Sequence, residues 1–83
     1  MTSEEIRSAV LAALCDVAPE IDAGAVRDDD VLRETFDLDS MDFLNFLVGV
    51  DQRVGVEVPE ADYELLETLA DIVTYVTART PAA

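Results

Sequence analysis

The stretch DLDSMDFLNFLVGVDQRVGVEVPE, residues 37–60, holds a helix start, an apolar helical pattern and a helix stop in succession. Asp39 is predicted to cap a helix that runs from about Ser40 to Arg53, with Asp42 completing a capping box. Gly55 stands where that helix should end. The predicted core stripe of the helix is Leu44, Leu47, Val50 and Val54, with Phe43 or Phe46 on its shoulders.

Two further helices flank this one, and each begins with a capping pair. Thr2 with Glu5 and Thr68 with Asp71 have the spacing of capping boxes, and a short helix is predicted after Pro59. Apolar residues recur at helical spacing, namely Ile6, Val10, Leu14 and Val17 in the first helix and Leu69, Ile72, Val73 and Val76 in the last. We therefore predict an all-α fold, a small antiparallel four-helix bundle of three longer helices and one short one.

The segment between the first two long helices, residues 16–39, lacks a long amphipathic pattern and is predicted to be a long loop. We expect the loop to be ordered because it carries apolar residues that can anchor it to the core, namely Ile21, Val26, Val31, Leu32, Phe36 and Leu38. The whole chain, residues 1–83, is expected to form one domain, since 83 residues cannot bury two cores.

The charge is strongly acidic, with 19 Asp and Glu residues against 5 arginines and a net charge of -14. Such a surface repels phosphate backbones and anionic membranes, so nucleic acid and membrane partners are not expected, whereas partners with basic patches are favoured. Cys15 is the single cysteine, which excludes an internal disulfide. No uncharged stretch approaches the roughly 20 residues of a membrane span, so we expect a cytoplasmic protein.

Ser40, between two aspartates, has several conceivable roles. A hydrolytic serine needs a base such as histidine or lysine, and the sequence contains neither, so no catalytic residue is predicted. Calcium loops counted from Asp28 or Asp37 lack the required glycine at the sixth position, so no metal site is predicted. A serine modified by another enzyme remains, as either a phosphorylation site or a site for a prosthetic group.

The stretch DSMDFLNFLVGVDQRVGVEVPEAD, residues 39–62, resembles the second helix and following loop of the acyl carrier protein family. The resemblance extends over nearly the whole chain. It implies that a phosphopantetheinyl transferase attaches 4'-phosphopantetheine from coenzyme A to Ser40, with Asp39 as its neighbour in the motif. Acyl groups would ride as thioesters on the arm, a core pocket between the helices would shelter them, and the protein itself would catalyse nothing.

The resemblance also implies a surface that partner enzymes read. The candidate partner contacts are Met41, Asp42, Val48 and Asp51. The implied partners are the transferase and the enzymes that load and transfer acyl groups through basic patches, acting on a monomeric carrier.

The sequence departs from the family pattern before the motif, where Asp37 replaces a frequent glycine, so a turn with positive φ must use aspartate. The second helix is also less acidic than in many fatty-acid carriers, which favours a stand-alone carrier for a specialised pathway. Fatty acid, polyketide and specialised lipid biosynthesis all remain open. The alternatives are an aminoacyl or peptidyl carrier and, from another class, an acidic interaction module that is never modified.

Overall fold

The computed structural model describes residues 2–80, and within them the chain forms helices joined by loops, with no strand beyond one isolated bridge. The α-helices are α1 (Ser3–Val17), α2 (Leu32–Thr35), α3 (Ser40–Val54) and α4 (Leu69–Arg79), and 3₁₀ turns cover Ala23–Ala25 and Glu60–Leu65. The predicted all-α bundle with three longer helices is confirmed. The predicted short helix is the 3₁₀ segment Glu60–Leu65, and none of the helices in residues 2–80 is both long and apolar enough to cross a membrane.

The first and last helices begin at the predicted capping boxes. The Thr2 hydroxyl accepts a hydrogen bond from the Glu5 N–H at 3.1 Å, and the Glu5 carboxylate accepts one from the Thr2 N–H at 3.0 Å. Hydrogen bonding of the Glu5 carboxylate to Thr2, chiefly to the Thr2 backbone N–H and then to the Thr2 side chain, lowers the pKa of Glu5. Thr68 and Asp71 form the same reciprocal pair at the start of α4. Each box satisfies backbone donors that a helix start would otherwise leave unpaired.

The core lies where α1 packs against α3 and α4. Ile6, Val10 and Leu14 of α1 are fully buried, as the apolar spacing predicts. Gly49 of α3 faces Ala13 of α1, and a Cβ built on Gly49 would lie only 3.2 Å from the Ala13 Cβ. The missing side chain therefore lets the two helices approach closely.

The face of α3 that packs on this core differs in part from the predicted one, since Leu47 and Val50 are buried as predicted. Phe43 and Phe46 are buried, whereas Leu44, assigned to the core stripe from the sequence, is 41% exposed. Val54 is half-buried. The prediction was wrong at Leu44 because α3 has apolar residues on two sides, and helical spacing alone does not decide which side faces inward. The two aromatic rings bury more apolar area than leucine and occupy the core.

The long loop is ordered and is fastened to the start of α4. Its residues Val26, Leu32 and Leu38 are buried in the core. The Leu32 N–H donates to the Glu67 carbonyl at 3.0 Å, and the Leu69 N–H donates to the Asp30 carbonyl at 3.2 Å. These backbone hydrogen bonds and the buried apolar residues together hold α2 in place.

The 3₁₀ segment Glu60–Leu65 is likewise fastened to α4. The buried Tyr75 hydroxyl donates to the Asp62 carboxylate, and the Arg79 guanidinium lies 3.6 Å from the centre of the Tyr75 ring. Burial of the Tyr75 phenol, together with its bond to Asp62, raises the pKa of this group. The segment is thereby set in a fixed position beside α3.

The turn from α2 into α3 uses a left-handed residue, as the sequence predicted. Asp37 has φ 52° and is the one non-glycine residue with positive φ in residues 2–80. The N–H of the next residue, Leu38, donates to the Arg33 carbonyl at 3.0 Å. This is the hydrogen bond by which a left-handed residue closes a helix end.

The left-handed turn at Asp37 makes its substitutions a test of the backbone. We expect Asp37→Val to be about 1–3 kcal/mol less stable than Asp37→Gly, because a β-branched residue is strained at positive φ. Urea unfolding of the two variants measures the difference. The same two substitutions at exposed Asp29 are the control and should not favour glycine. Equal stability of Asp37→Val and Asp37→Gly would contradict the left-handed turn.

Candidate functional site

The start of α3 is fixed by two hydrogen bonds between aspartates. The Asp39 carboxylate accepts from the Asp42 N–H at 2.8 Å, and the Asp42 carboxylate accepts from the Asp39 N–H at 3.3 Å. Asp39 is therefore the N-cap and Ser40 the first residue of the helix. Gly55 ends the helix in the left-handed conformation, as predicted. Both carboxylates also lie where the partial positive charge of the helix dipole favours them.

Ser40 is exposed, and its hydroxyl has one side-chain partner in the described part of the chain. The Arg33 guanidinium donates from Nη2 to the Ser40 Oγ at 3.3 Å. Sequence reasoning missed Arg33. The available signal was its position as the arginine nearest to Ser40 in the chain.

Aromatic rings lie directly beside this pair. The Arg33 guanidinium carbon lies 5.2 Å from the centre of the Phe43 ring, within the range of a cation–π contact. Phe43 in turn packs edge-on against Tyr63 of the 3₁₀ segment, with ring centres 5.9 Å apart. The ring centres of Phe43 and Phe46 are also 5.9 Å apart. The Arg33 guanidinium lies over the face of the Phe43 ring, and the rings together fill space between α3 and the 3₁₀ segment.

Two open grooves near the site share Tyr63 as a lining residue. One has a volume of about 600 Å³ and is lined by Val31, Arg33, Glu34, Tyr63, Glu64, Leu66 and Glu67. The other has a volume of about 200 Å³ and is lined by Leu44, Leu47, Val48, Asp51, Glu57, Val58 and Tyr63. The core pocket for an acyl chain implied by the resemblance stays a prediction.

Three of the four predicted partner contacts lie on one side of α3. Met41 and Val48 are 62% and 46% exposed, and Leu44 lies between them at helical spacing. Exposed Asp51 continues the same side one turn beyond Val48. We call Met41, Leu44 and Val48 the apolar stripe, and Asp51 lies at its end. Asp42 lies apart from it, half-buried and engaged in the capping box.

The group that the site offers for chemistry is the exposed hydroxyl of Ser40. The Asp39 and Asp42 carboxylates nearest to Ser40 in sequence accept backbone hydrogen bonds, and neither has a hydrogen bond to the Ser40 hydroxyl. The chain has no histidine that could serve as a general base. The geometry therefore fits a serine that another protein can reach.

Comparisons with known proteins identify the family. A family model described as "Phosphopantetheine attachment site" matches residues 8–76. An acyl carrier protein of Campylobacter hominis is 33% identical over 88% of this chain and 86% of its own. One of Campylobacter jejuni is 28% identical over 90% of this chain and 91% of its own. The chain belongs to the acyl carrier protein family, whose attachment domain carries 4'-phosphopantetheine.

A solved structure agrees with this assignment. The solution structure of a provisionally assigned acyl carrier protein from Anaplasma phagocytophilum superposes with a TM-score of 0.85 at 28% identity. The match covers 100% of this chain and 97% of the other. The fold predicted from the sequence is thus the fold of a family relative.

The residues around Ser40 fit a phosphate ester. The Ser40 hydroxyl is exposed and lies in the first turn of α3, where unpaired backbone N–H groups favour negative charge. The Arg33 guanidinium, which has the planar donor geometry that suits phosphate oxygens, is already in contact with that hydroxyl.

The capping role of Asp39 can be separated from its charge. We expect Asp39→Ala to lower the free energy of unfolding by about 0.5–2 kcal/mol, whereas Asp39→Asn should retain most of it, because asparagine also caps helices. Asp51→Ala, on the exposed side of α3, is the matched control and should change stability by less than about 0.5 kcal/mol. Urea unfolding measures all three variants. An Asp39→Asn protein as unstable as Asp39→Ala would argue for charge rather than capping.

Proposed function

We propose that Ser40 is the residue to which 4'-phosphopantetheine is attached. The observation that carries the proposal is the position of its exposed hydroxyl, in the first turn of a capped helix and in contact with a guanidinium. The chain belongs to a family defined by phosphopantetheine attachment, and the matched residues 8–76 include Ser40. A phosphorylation site, the other reading of the sequence, has no comparable support.

When attached, the group supplies a flexible arm whose terminal thiol carries acyl cargo as a thioester. This chain supplies the attachment oxygen on Ser40, the capping box that fixes its position, and a surface for partner enzymes. The transferase must supply the base that takes the proton of the Ser40 hydroxyl, since this chain has neither histidine nor lysine. In this proposal the protein is a carrier and not an enzyme.

The apolar stripe of α3 is the proposed docking surface for the transferase and for enzymes that load and transfer acyl groups. Exposed apolar residues beside an attachment serine, on a chain of net charge -14, suit partners that combine apolar contacts with basic patches. Met41, Val48 and Asp51 were predicted for this role, and Leu44 joins them because it is exposed. Asp42 remains a predicted contact, although its carboxylate already serves the cap.

The cargo proposed for the arm is acyl, for fatty acid, polyketide or specialised lipid biosynthesis. The names of the relatives, which are acyl carrier proteins, favour it over the aminoacyl or peptidyl cargo of the alternative carrier. The family match also favours it over an acidic module that is never modified. The monomeric state and the cytoplasmic location stay predictions.

Modification of the purified protein tests the attachment site. Incubation with coenzyme A and a transferase of broad specificity should raise the intact mass by one phosphopantetheine group, and Ser40→Ala should abolish the gain. Ser8→Ala, at an exposed serine of α1, is the matched control and should keep it. A wild-type mass that stays unchanged with several transferases would contradict the proposal, as would a full gain in Ser40→Ala.

A substitution in the apolar stripe tests the docking surface. Val48→Asp should lower kcat/KM for modification by about tenfold, the effect of losing about 1.4 kcal/mol of contact with the transferase. Ala12→Asp adds the same charge at an exposed position of α1 and should leave kcat/KM unchanged. Unfolding curves would confirm that both variants are folded. Equal kcat/KM values for the two variants would show that the transferase does not bind at the apolar stripe.

A further inference from the structure

The five arginines of this chain fall into two groups. Within residues 2–80 four of them pair with aspartates, in the salt bridges Arg7–Asp28, Arg27–Asp29, Arg53–Asp16 and Arg79–Asp62. Arg33 is the one with no carboxylate oxygen within 4.0 Å among the described residues. The chain has 19 acidic residues, so the position of an arginine without an ion pair is not explained by pairing with a carboxylate.

The contacts of the Arg33 guanidinium leave its positive charge and most of its N–H donors without a partner among the described residues. Its guanidinium donates to the Ser40 Oγ at 3.3 Å and lies 5.2 Å from the centre of the Phe43 ring. Neither neighbour neutralises a positive charge. The guanidinium keeps further N–H donors, because a single hydrogen bond to a hydroxyl uses one of five.

The position of Arg33 is fixed from two sides. On one side the preceding residue, Leu32, is fully buried and its N–H is bonded to the Glu67 carbonyl, which anchors α2. On the other side Phe43 is buried and held by Tyr63 and Phe46. The exposed guanidinium thus lies next to the serine before any modification, so little rearrangement is needed when it binds an anion there.

We propose that Arg33 binds the phosphate of the group attached to Ser40, forming the ion pair that it lacks in the unmodified chain. This inference rests on the proposed attachment at Ser40. A phosphate bonded to the Ser40 oxygen places its charged oxygens two bonds beyond the atom that Arg33 already contacts. A guanidinium binds phosphate oxygens through charge-assisted hydrogen bonds with a planar fork of donors. Arg33 thereby offsets the repulsion that a further negative charge meets on this acidic protein.

A structural role for Arg33, in which it only covers the Phe43 ring, makes a different prediction. That role affects the unmodified and the modified protein equally. Binding of the phosphate affects the modified protein alone. The comparison between the two forms of one variant therefore separates the roles, whatever the variant does to folding itself.

The experiment measures the melting temperature of the unmodified and the modified form of three proteins: wild type, Arg33→Gln and Arg27→Gln. Modification should raise Tm more, or lower it less, in wild type than in Arg33→Gln. The two changes in Tm should differ by about 1–5 °C, the effect of an exposed charge pair in a domain of this size. Arg27→Gln removes the same charge from an arginine paired with Asp29 and should behave as wild type. The difference in this Tm change between wild type and Arg33→Gln should shrink at high salt.

Nuclear magnetic resonance supplies a second readout. The ³¹P signal of the modified wild type should differ from that of modified Arg33→Gln, and the Arg33 Nε–H signal should shift on modification. The same Tm change in wild type and Arg33→Gln, with an unshifted Arg33 signal, would overturn the inference while leaving attachment at Ser40 intact. Absence of any mass gain would overturn the proposed function and this inference together.

Discussion

The reciprocal hydrogen bonds between Asp39 and Asp42 set the first residue of α3, and the rest of the site follows from that register. Successive residues of an α-helix point about 100° apart around its axis, so neighbouring residues face different sides. With the observed start, Phe43 and Phe46 face inward while Met41 and Val48 face outward. The same start leaves Ser40 exposed in the first turn. Local capping thereby places Ser40 at an exposed helix start, while packing against α1 selects the side of α3 that faces inward.

The segments before and after α3 are held in ways that support this register. Asp37 reverses the chain after α2 with a positive φ, and backbone hydrogen bonds tie residues 28–32 to the start of α4. The 3₁₀ segment is fixed to α4 through Tyr75 and brings Tyr63 against Phe43. The serine, the arginine and the ring beneath it thus come from α2 and α3, while the 3₁₀ segment supports them. The serine lies at a hydrogen-bonded helix start, and the side of α3 proposed for partner docking exposes Met41, Leu44 and Val48.

The sequence predicted the features that depend on short-range chemistry. The three capping boxes, the stop at Gly55 and the unusual turn at Asp37 each involve residues within a few positions of one another. Features that depend on distant residues were harder to predict. Leu44 was assigned to the core because the spacing fits two faces of α3, and only packing against α1 selects Phe43 and Phe46. Arg33 was missed because its contact with Ser40 requires the turn between α2 and α3.

The central claim is that the capped start of α3 presents Ser40 as the one modified residue. Fragmentation mass spectrometry of the protein after treatment with coenzyme A and a transferase tests it most directly, because it locates the added group on the chain. The group should lie on Ser40 alone, within the peptide that spans the two aspartates. Its location on another hydroxyl, such as Ser8 or Thr35, would contradict the account.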